Sequence, residues 1–542
     1  MANSDRNASA RVSLFRTLSQ RLRRSCRFAA PAAAAFLALN VHDNPVRAVS
    51  AADPAAVSEQ VFTVGFGKIA EVYLQPVSFD TLGLDGLKGL TAIDPAIKVE
   101  RANSTVRLSV SGGLAAEYGA AGATDSAGWA TLVTRVIDRA RLYSPTLAQA
   151  TPERIYQVVF DGITGDLDGY SRYTGVQRAT SERAQREGYG GIGVSLETAN
   201  GRVTVRDVLP RSPADRAGIR DGDQMLAIDG DLTARLNEAD MRDRLRGPTG
   251  TLVTVTLARD GGAPRRLPIR RERVVPGTVT ASVVDQVGVV KLERFNATTA
   301  ANLRDAVANL RQQGSSASAG RPLRGLVLDL RGNPGGLLDQ AVSVADLFIR
   351  RGRIISTEGR HPDSRQRFDA APDDIADGLP MVVLVDGRSA SSAEVVAAAL
   401  QDSGRAVVVG ASSYGKGSVQ TVTRLPNDGE LFLTWSRIYT PAGYTLHRQG
   451  VQPTVCTSRA GQDDPAALLT DLRDGRIRPS QIAAWRTKAA DDEQALTQLR
   501  ESCPWKEHEP ALDLKVAMRL LAEPALYQRA AAFAVVNTVA ER

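Results

Sequence analysis

From Val283 to Asp402 the chain alternates short apolar runs with longer stretches of helical spacing. Val287–Leu292, 326–330 and Met381–Val385 are almost continuously apolar, as expected for strands covered on both faces. Between and after them, 299–312, 337–349 and 393–402 repeat apolar residues at three- and four-residue steps and read as helices. Strand, helix, strand, helix predicts an α/β layer with a mostly parallel sheet. A Ser/Ala/Gly stretch, 314–320, reads as the loop after the first of these helices. Upstream, 52–185 mixes strand-like and helix-like runs. Within it, 126–147 places Trp129, Leu132, Val133, Val136 and Ile137 on one helical side, and the segment reads as a packing domain without chemistry of its own. Residues 186–275 differ in texture, with short strands such as Val203-Thr204-Val205 and 252–257 set between Gly, Asp and Pro turns. Beyond Cys456 the chain is rich in Ala, Asp and Arg at helical spacing and carries no site motif.

At 542 residues the chain has room for three or four domains of roughly 150 residues. Its net charge of +7 suggests a nucleic-acid partner until the charge is located. Residues 1–51 hold eight Arg and two Asp, so the remaining body is close to neutral and no nucleic-acid partner is expected. That leader has Arg21, Arg23, Arg24 and Arg27 before a weakly apolar stretch, Phe28 to Val41, and the small residues Val49-Ser50-Ala51. This is the layout of a cleaved secretory signal. The stretch is short for a membrane-spanning helix, which needs about 20 residues. The expectation is an exported protein, periplasmic in a cell with two membranes. Without the leader Cys456 and Cys503 remain, and two readings stay open, a bridge or two separate buried thiols. No metal site and no cofactor are expected.

Tyr189-Gly190-Gly191-Ile192-Gly193-Val194 places glycines before a strand, where free backbone N–H groups can gather on an anion and an exposed strand edge can receive an extended peptide. Pro210-Arg211-Ser212-Pro213-Ala214, Ala217-Gly218-Ile219, Gly222-Asp223 and Ile228-Asp229-Gly230 follow in order. Together these resemble a PDZ domain. The resemblance implies that Gly191, Ile192, Gly193 and Val194 form a peptide-binding loop that captures a C-terminal carboxylate.

Only four histidines are present, His42, His361, His447 and His508, none with a flanking catalytic pattern, which disfavours a Ser-His-Asp arrangement. The other base available to a serine is a lysine whose pKa is depressed by burial. Lys416, in Gly415-Lys416-Gly417-Ser418-Val419-Gln420, follows the apolar run 406–409. Gly410 to Lys416 fits the first seven places of a phosphate-binding loop, but Gly417 stands where Ser or Thr should hold magnesium, and 418–422 with 430–438 reads as a hairpin where a helix is required. Ser413-x-x-Lys416 also fits the penicillin-recognising motif, but glycines at 415 and 417 spoil its helix. A third reading pairs Lys416 with Ser391, at the turn from Met381–Val385 into a helix. Ser391-x-x-Glu394 is equally a capping box, which by itself needs no catalysis.

Leu326 to Leu337, with Asn333-Pro334-Gly335-Gly336, is a second such turn. With Ser389 to Glu394, Tyr414 to Gln420, Thr440-Pro441-Ala442-Gly443, Leu167-Asp168-Gly169-Tyr170-Ser171 and Gly288 to Leu292, the chain resembles the carboxyl-terminal processing (tail-specific) serine protease family. The resemblance implies a multidomain α/β fold, with a crotonase-like α/β protease core (276–456), an inserted PDZ domain (186–275), and mainly helical N-terminal (52–185) and C-terminal (457–542) segments. It implies Ser391 as nucleophile, Lys416 as general base, Gln420 as the residue that orients the amine, and the amides of Gly336 and Ser392 as oxyanion hole. Here Ser392 and Ala393 stand where the family has Ala and Ser, and Gly169 where it has Pro. The expected function is an exported endopeptidase that cleaves proteins near their C-termini, its PDZ domain binding the substrate tail and gating the site, with peripheral membrane association or a lipoprotein adaptor as further partners. The alternative is an inactive PDZ-bearing adaptor.

Overall fold

The computed structural model describes residues 54–317, 322–458, 464–474, 479–505 and 510–535; the leader and His508 lie outside them. The N-terminal segment packs helices Pro54–Val72, Phe79–Lys88, Ser126–Tyr143 and Pro152–Gly165 around Phe62, Phe66 and Trp129, beside an antiparallel meander of Ile97–Ala102, Thr105–Val110 and Gly113–Gly119. The third helix stops short of the expected 147. Pro145 keeps Ser144 extended, and a separate short helix, Pro145–Gln149, carries Leu147 into the core.

Residues 186–275 form a sheet in the order Arg265–Arg270, Leu252–Ala258, Gln224–Ile228, Arg202–Val208, Val194–Ala199, with helices Pro213–Arg216 and Glu238–Leu245. Alternate residues of these strands, among them Val203, Val205, Val253 and Val255, point into its core. Tyr189–Gly191 pairs with Glu272–Val274, so the two ends of the module lie side by side.

The C-terminal half is built on a six-stranded sheet in the order Val279–Val284, Val287–Leu292, Gly325–Asp329, Met381–Val385, Val407–Gly410, Val455–Cys456, parallel except for its first pair. Helix Thr299–Ala317 runs on into the stretch expected to be a loop. The apolar strands serve two faces by simple alternation. Leu326, Leu328, Met381, Val383 and Val385 meet helices Thr299–Ala317, Leu338–Asp346 and Ser392–Asp402. Val327, Val382, Leu384, Val407 and Val409 meet Leu512, Val516, Leu520 and Tyr527 of the C-terminal helices Pro510–Ala522 and Pro524–Val535. The C-terminal extension is therefore the second cover that a parallel sheet requires.

A second sheet, in the order Gln366–Asp369, Arg353–Glu358, Glu430–Tyr439, Ser418–Arg424, packs against helices Leu338–Asp346 and Ser392–Asp402. Arg172–Thr174, from before the PDZ-like module, pairs with Glu430–Tyr439. Lys416 thus leads into a strand, as the hairpin reading expected. No helix among the described residues is long and apolar enough to cross a membrane.

Candidate active site

Three turns meet in a cleft of about 470 Å³ whose walls include Gly335, Gly336, Ser391, Ser392, Lys416 and Gln420. Ser391 sits where Met381–Val385 turns into helix Ser392–Asp402. The turn is fastened from below: Ser389 Oγ donates to the Leu330 carbonyl (2.9 Å), Ala390 N–H to the Asn333 carbonyl (2.9 Å), and Gly332 N–H to Asp386 Oδ1 (2.9 Å). Asn333 is fully buried and locks the neighbouring turn. Its Nδ2 donates to the Leu292 carbonyl (2.7 Å), and its Oδ1 accepts from Gly335 N–H (2.8 Å).

The capping box at Ser391 is formed, with the Ser391 N–H 2.7 Å from Glu394 Oε2. Capping does not explain the backbone, however. Ser212, Thr151 and Asn237 cap their helices with φ between −65° and −81° and extended ψ, the usual geometry, whereas Ser391 has φ 54° and ψ −116°. Such a conformation costs a non-glycine residue roughly 1–3 kcal/mol and persists only where the surroundings hold it.

Gly335 lies directly against the elbow. A Cβ there would be 2.8 Å from Ser391 Cβ and 3.0 Å from the Ser392 nitrogen, with φ at +98°. At Gly336 a Cβ would be 2.0 Å from the Phe295 carbonyl oxygen. The Gly336 and Ser392 N–H groups donate to no acceptor among the described residues, the latter because first-turn amides have no intrahelical partner. Ser392 Oγ donates to the Gly336 carbonyl (2.9 Å) and so ties the two amide-bearing turns together. Ala393 is wholly buried, and an added Cβ at Gly169 meets nothing within 4 Å.

Lys416 Nζ lies 5.2 Å from the centre of the Tyr170 ring and has no hydrogen bond or ion pair among the described residues. Burial pushes the amine below its ordinary value of 10.5 and the Arg172 guanidinium adds to this, while Glu394 and Asp168 oppose it. Ser391 and Lys416 share the cleft but do not hydrogen-bond each other. What links them is Glu394, fully buried: its Oε2 accepts from the Ser391 N–H and from the Lys416 N–H (2.9 Å), its Oε1 from the Gly415 N–H (2.7 Å) and the Ser413 hydroxyl. Burial raises the Glu394 pKa against these donors.

Gln420 was expected to orient the amine from the same strand face, but Lys416 precedes the strand and a bulge at Val419/Gln420 resets the register. Its Nε2 donates to Ser418 Oγ (2.9 Å) and Thr434 Oγ1 (3.3 Å). Thr434 Oγ1 in turn donates to Asp168 Oδ1 (3.1 Å), the carboxylate that also takes the Tyr170 and Ser171 amides. Gln420 is thus joined to the Asp168–Ser171 turn. His447 stands near this turn, its ring 6.4 Å from that of Tyr170, and burial holds its pKa down to about 4.

In the PDZ-like module Ile192, Gly193 and Val194 line a groove of about 320 Å³ with Met241, Leu245 and Arg246. Gly191 lies outside that lining, in the ladder with Glu272. Gly193 has φ +85°, and a Cβ on it would be 2.4 Å from Ser212 Cβ. The roles of Asn333, Gly335 and Asp168, and the reach of Glu394 from its cap on Ser391 to the Lys416 loop, escaped the sequence reading although each lies inside a motif it used. The signal available was a polar or glycine residue within each turn, without its partner.

The profile of peptidase family S41 matches residues 286–457, and that of a PDZ domain residues 204–259. The carboxy-terminal-processing protease of Bartonella bacilliformis is 38% identical over 307 residues, which is 56% of this chain and 69% of that protein. The chain belongs to peptidase family S41. Carboxy-terminal processing protease CtpA of Bacillus subtilis is 32% identical over 290 residues, 53% of this chain and 60% of CtpA. Among solved structures, the photosystem II D1 C-terminal processing protease is 26% identical, with a TM-score of 0.34 over 69% of this chain and 92% of that one. This S41 peptidase is accordingly a serine-type protease of the C-terminal processing family, carrying a PDZ domain.

Proposed function

We propose that this S41 peptidase is an exported endopeptidase that cleaves protein substrates near their C-termini with a Ser391–Lys416 dyad. The observation that carries the reading is the Ser391 backbone: a left-handed, non-glycine residue, braced by two neighbouring turns, in one cleft with a desolvated and unpartnered amine. Lys416, when neutral, takes the Ser391 proton as Oγ attacks the scissile carbonyl. The free amides of Gly336 and Ser392 receive the oxyanion, an interaction worth roughly 3–4 kcal/mol per donor in other hydrolases. The protonated amine then gives its proton to the leaving nitrogen, and water, deprotonated by the same amine, releases the acyl group. Gln420 holds Thr434, and through it the Asp168–Ser171 turn that carries Tyr170 over the amine. The chemistry calls for no cofactor.

The PDZ domain, inserted between Arg172–Thr174 and the main sheet of a crotonase-like core, binds the substrate tail at Ile192, Gly193 and Val194 and gates the cleft. Helix Val176–Glu187 supports this coupling, because Glu182, Gln185 and Arg186 line the cleft and the same helix runs into the module. Two half-cystines in the described fold support an oxidising destination, in keeping with the signal-like leader. Adaptor binding or membrane association would engage the PDZ-bearing face.

The test is cleavage of an unfolded protein with an apolar C-terminus. Ser391→Ala and Lys416→Ala are expected to abolish turnover while keeping tail binding. A wild type that cleaves no faster than Ser391→Ala while both bind the tail would leave the inactive-adaptor reading.

A further inference from the structure

The segment from Glu493 to Trp505 lies beyond the S41 match, and its sequence suggests only packing. In the fold it touches both sides of the catalytic cleft. Arg500, mostly buried, donates from Nη1 to the carbonyls of Ser413 (2.6 Å) and Gln449 (3.2 Å). Ser413 is the residue whose hydroxyl is bonded to Glu394, and Glu394 holds the Ser391 and Lys416 amides. A path of three hydrogen bonds therefore leads from Arg500 to the backbone of each member of the dyad. The Cys503 carbonyl accepts from the Ser412 hydroxyl, two residues after strand Val407–Gly410 ends. On the nucleophile side the Trp505 ring covers Gly387, where a Cβ would come within 2.0 Å of it; Gly387 belongs to the turn that ends at Ser391.

One covalent bond pins this segment. Cys456 and Cys503 are joined by a disulfide, so the bridge reading of the two cysteines holds, across 47 residues of sequence. Cys456 is in register with Gly410, from which the Lys416 loop departs. The bridge thus attaches the segment beside the root of that loop, and without it the covalent route between the two runs through 47 residues, with hydrogen bonds and packing left to hold the segment.

We propose that Glu493–Trp505 is a positioning strut for the two catalytic loops, locked by the Cys456–Cys503 disulfide, so that the peptidase reaches full activity only where its thiols have been oxidised. This rests on the dyad reading above. Locking transfers two electrons and two protons from the two thiols, by thiol–disulfide exchange, to a protein or small-molecule disulfide, which leaves as two thiols. A chain still in a reducing compartment has both cysteines free and a loose strut, and protein tails there are spared. Arg500 acts through Ser413 and Glu394 and touches no substrate.

The experiment uses the full mature chain, oxidised or reduced with a phosphine. Cleavage of an unfolded substrate, binding of an apolar tail peptide and amide hydrogen exchange are measured on both forms. Reduction is expected to lower kcat about tenfold or more, the scale of a sub-ångström to ångström misplacement of reacting groups, with tail affinity kept and activity restored on reoxidation. The Gly415 and Lys416 amides, which bond to Glu394, are expected to exchange faster. Arg500→Gln in the oxidised chain reproduces the loss in kcat without a rise in KM, and Arg500→Lys recovers part of it. A reduced chain with undiminished kcat, Arg500→Gln at wild-type kcat, or loss of tail binding together with activity would each overturn the strut. Hydrogen exchange needs no turnover, so an oxidised wild type that cleaves nothing would sink the dyad reading while the strut is still judged by its amides.

Discussion

Substitution of Gly335 by alanine probes the claim that the neighbouring turn holds the Ser391 elbow in place. The added Cβ would lie 2.8 Å from the Ala390 oxygen, 2.8 Å from Ser391 Cβ and 3.0 Å from the Ser392 nitrogen. Ordinary contact begins at 3.4 Å, so the elbow must retreat by about 0.6 Å, and two of the three obstacles are backbone atoms that no rotamer change can move. The positive φ of +98° adds a conformational cost of about 1–2 kcal/mol, and the overlap about 1–3 kcal/mol. Gly332, in the same turn, is the internal control. It too has positive φ, +71°, but its Cβ meets nothing within 4 Å, so Gly332→Ala carries the conformational cost without pushing on Ser391. With Ser391 as the proposed nucleophile, a 0.6 Å displacement of it and of the Ser392 amide should lower kcat by about 10- to 100-fold, since about 1 Å of misplacement can cost 10²-fold. The assay is kcat and KM for an unfolded substrate, with thermal unfolding measured on both variants. Gly335→Ala should lose rate with KM little changed, while Gly332→Ala should lose only stability. The reasoning fails if the two variants lose kcat equally, or if Gly335→Ala turns over within about twofold of wild type.

The Lys416 amine is held below its ordinary pKa by burial, so kcat/KM should rise with pH through that lowered value and level off before 10.5; a profile still climbing at 10.5 would contradict a desolvated Lys416 as base. The same shift has a stability consequence. A lysine whose folded pKa is depressed opposes folding fully below that pKa, and the penalty fades as pH rises to the unfolded value. Lys416→Met should therefore abolish cleavage yet raise Tm by about 1–3 °C near neutral pH, with the gain shrinking towards pH 10; a lower Tm at every pH would contradict it. In the PDZ groove, Gly193→Ala places a Cβ 2.4 Å from Ser212 Cβ at a φ of +85°, and affinity for an apolar tail peptide should fall about tenfold or more by fluorescence anisotropy. Undiminished affinity would remove this loop from tail capture.

Much of the architecture was written in local patterns. Met381–Val385 is wholly apolar because both its faces are covered, and that run, followed by Asp386-Gly387-Arg388-Ser389, announces a buried strand and its turn without knowledge of neighbours. The alternation after Lys416 likewise identified a hairpin and removed the phosphate-loop reading. Where local pattern reached too far it misled: helical spacing carried 126–147 past a proline, and strand alternation was extended back to Lys416, which lies outside the strand.

The chain alone indicated most of the strands and helices, the turns that meet at the cleft, and the family they resemble, because apolar period, proline and glycine act within a few residues. Only the tertiary structure decided that Ser391 is held at positive φ, that one buried Glu394 gathers the amides of Ser391 and Lys416, that Gln420 bonds to Thr434, and that the C-terminal helices cover the sheet. Each of these depends on groups brought together from distant parts of the chain. A hydrogen-bond partner 22 or 87 residues away leaves no periodic trace in the sequence.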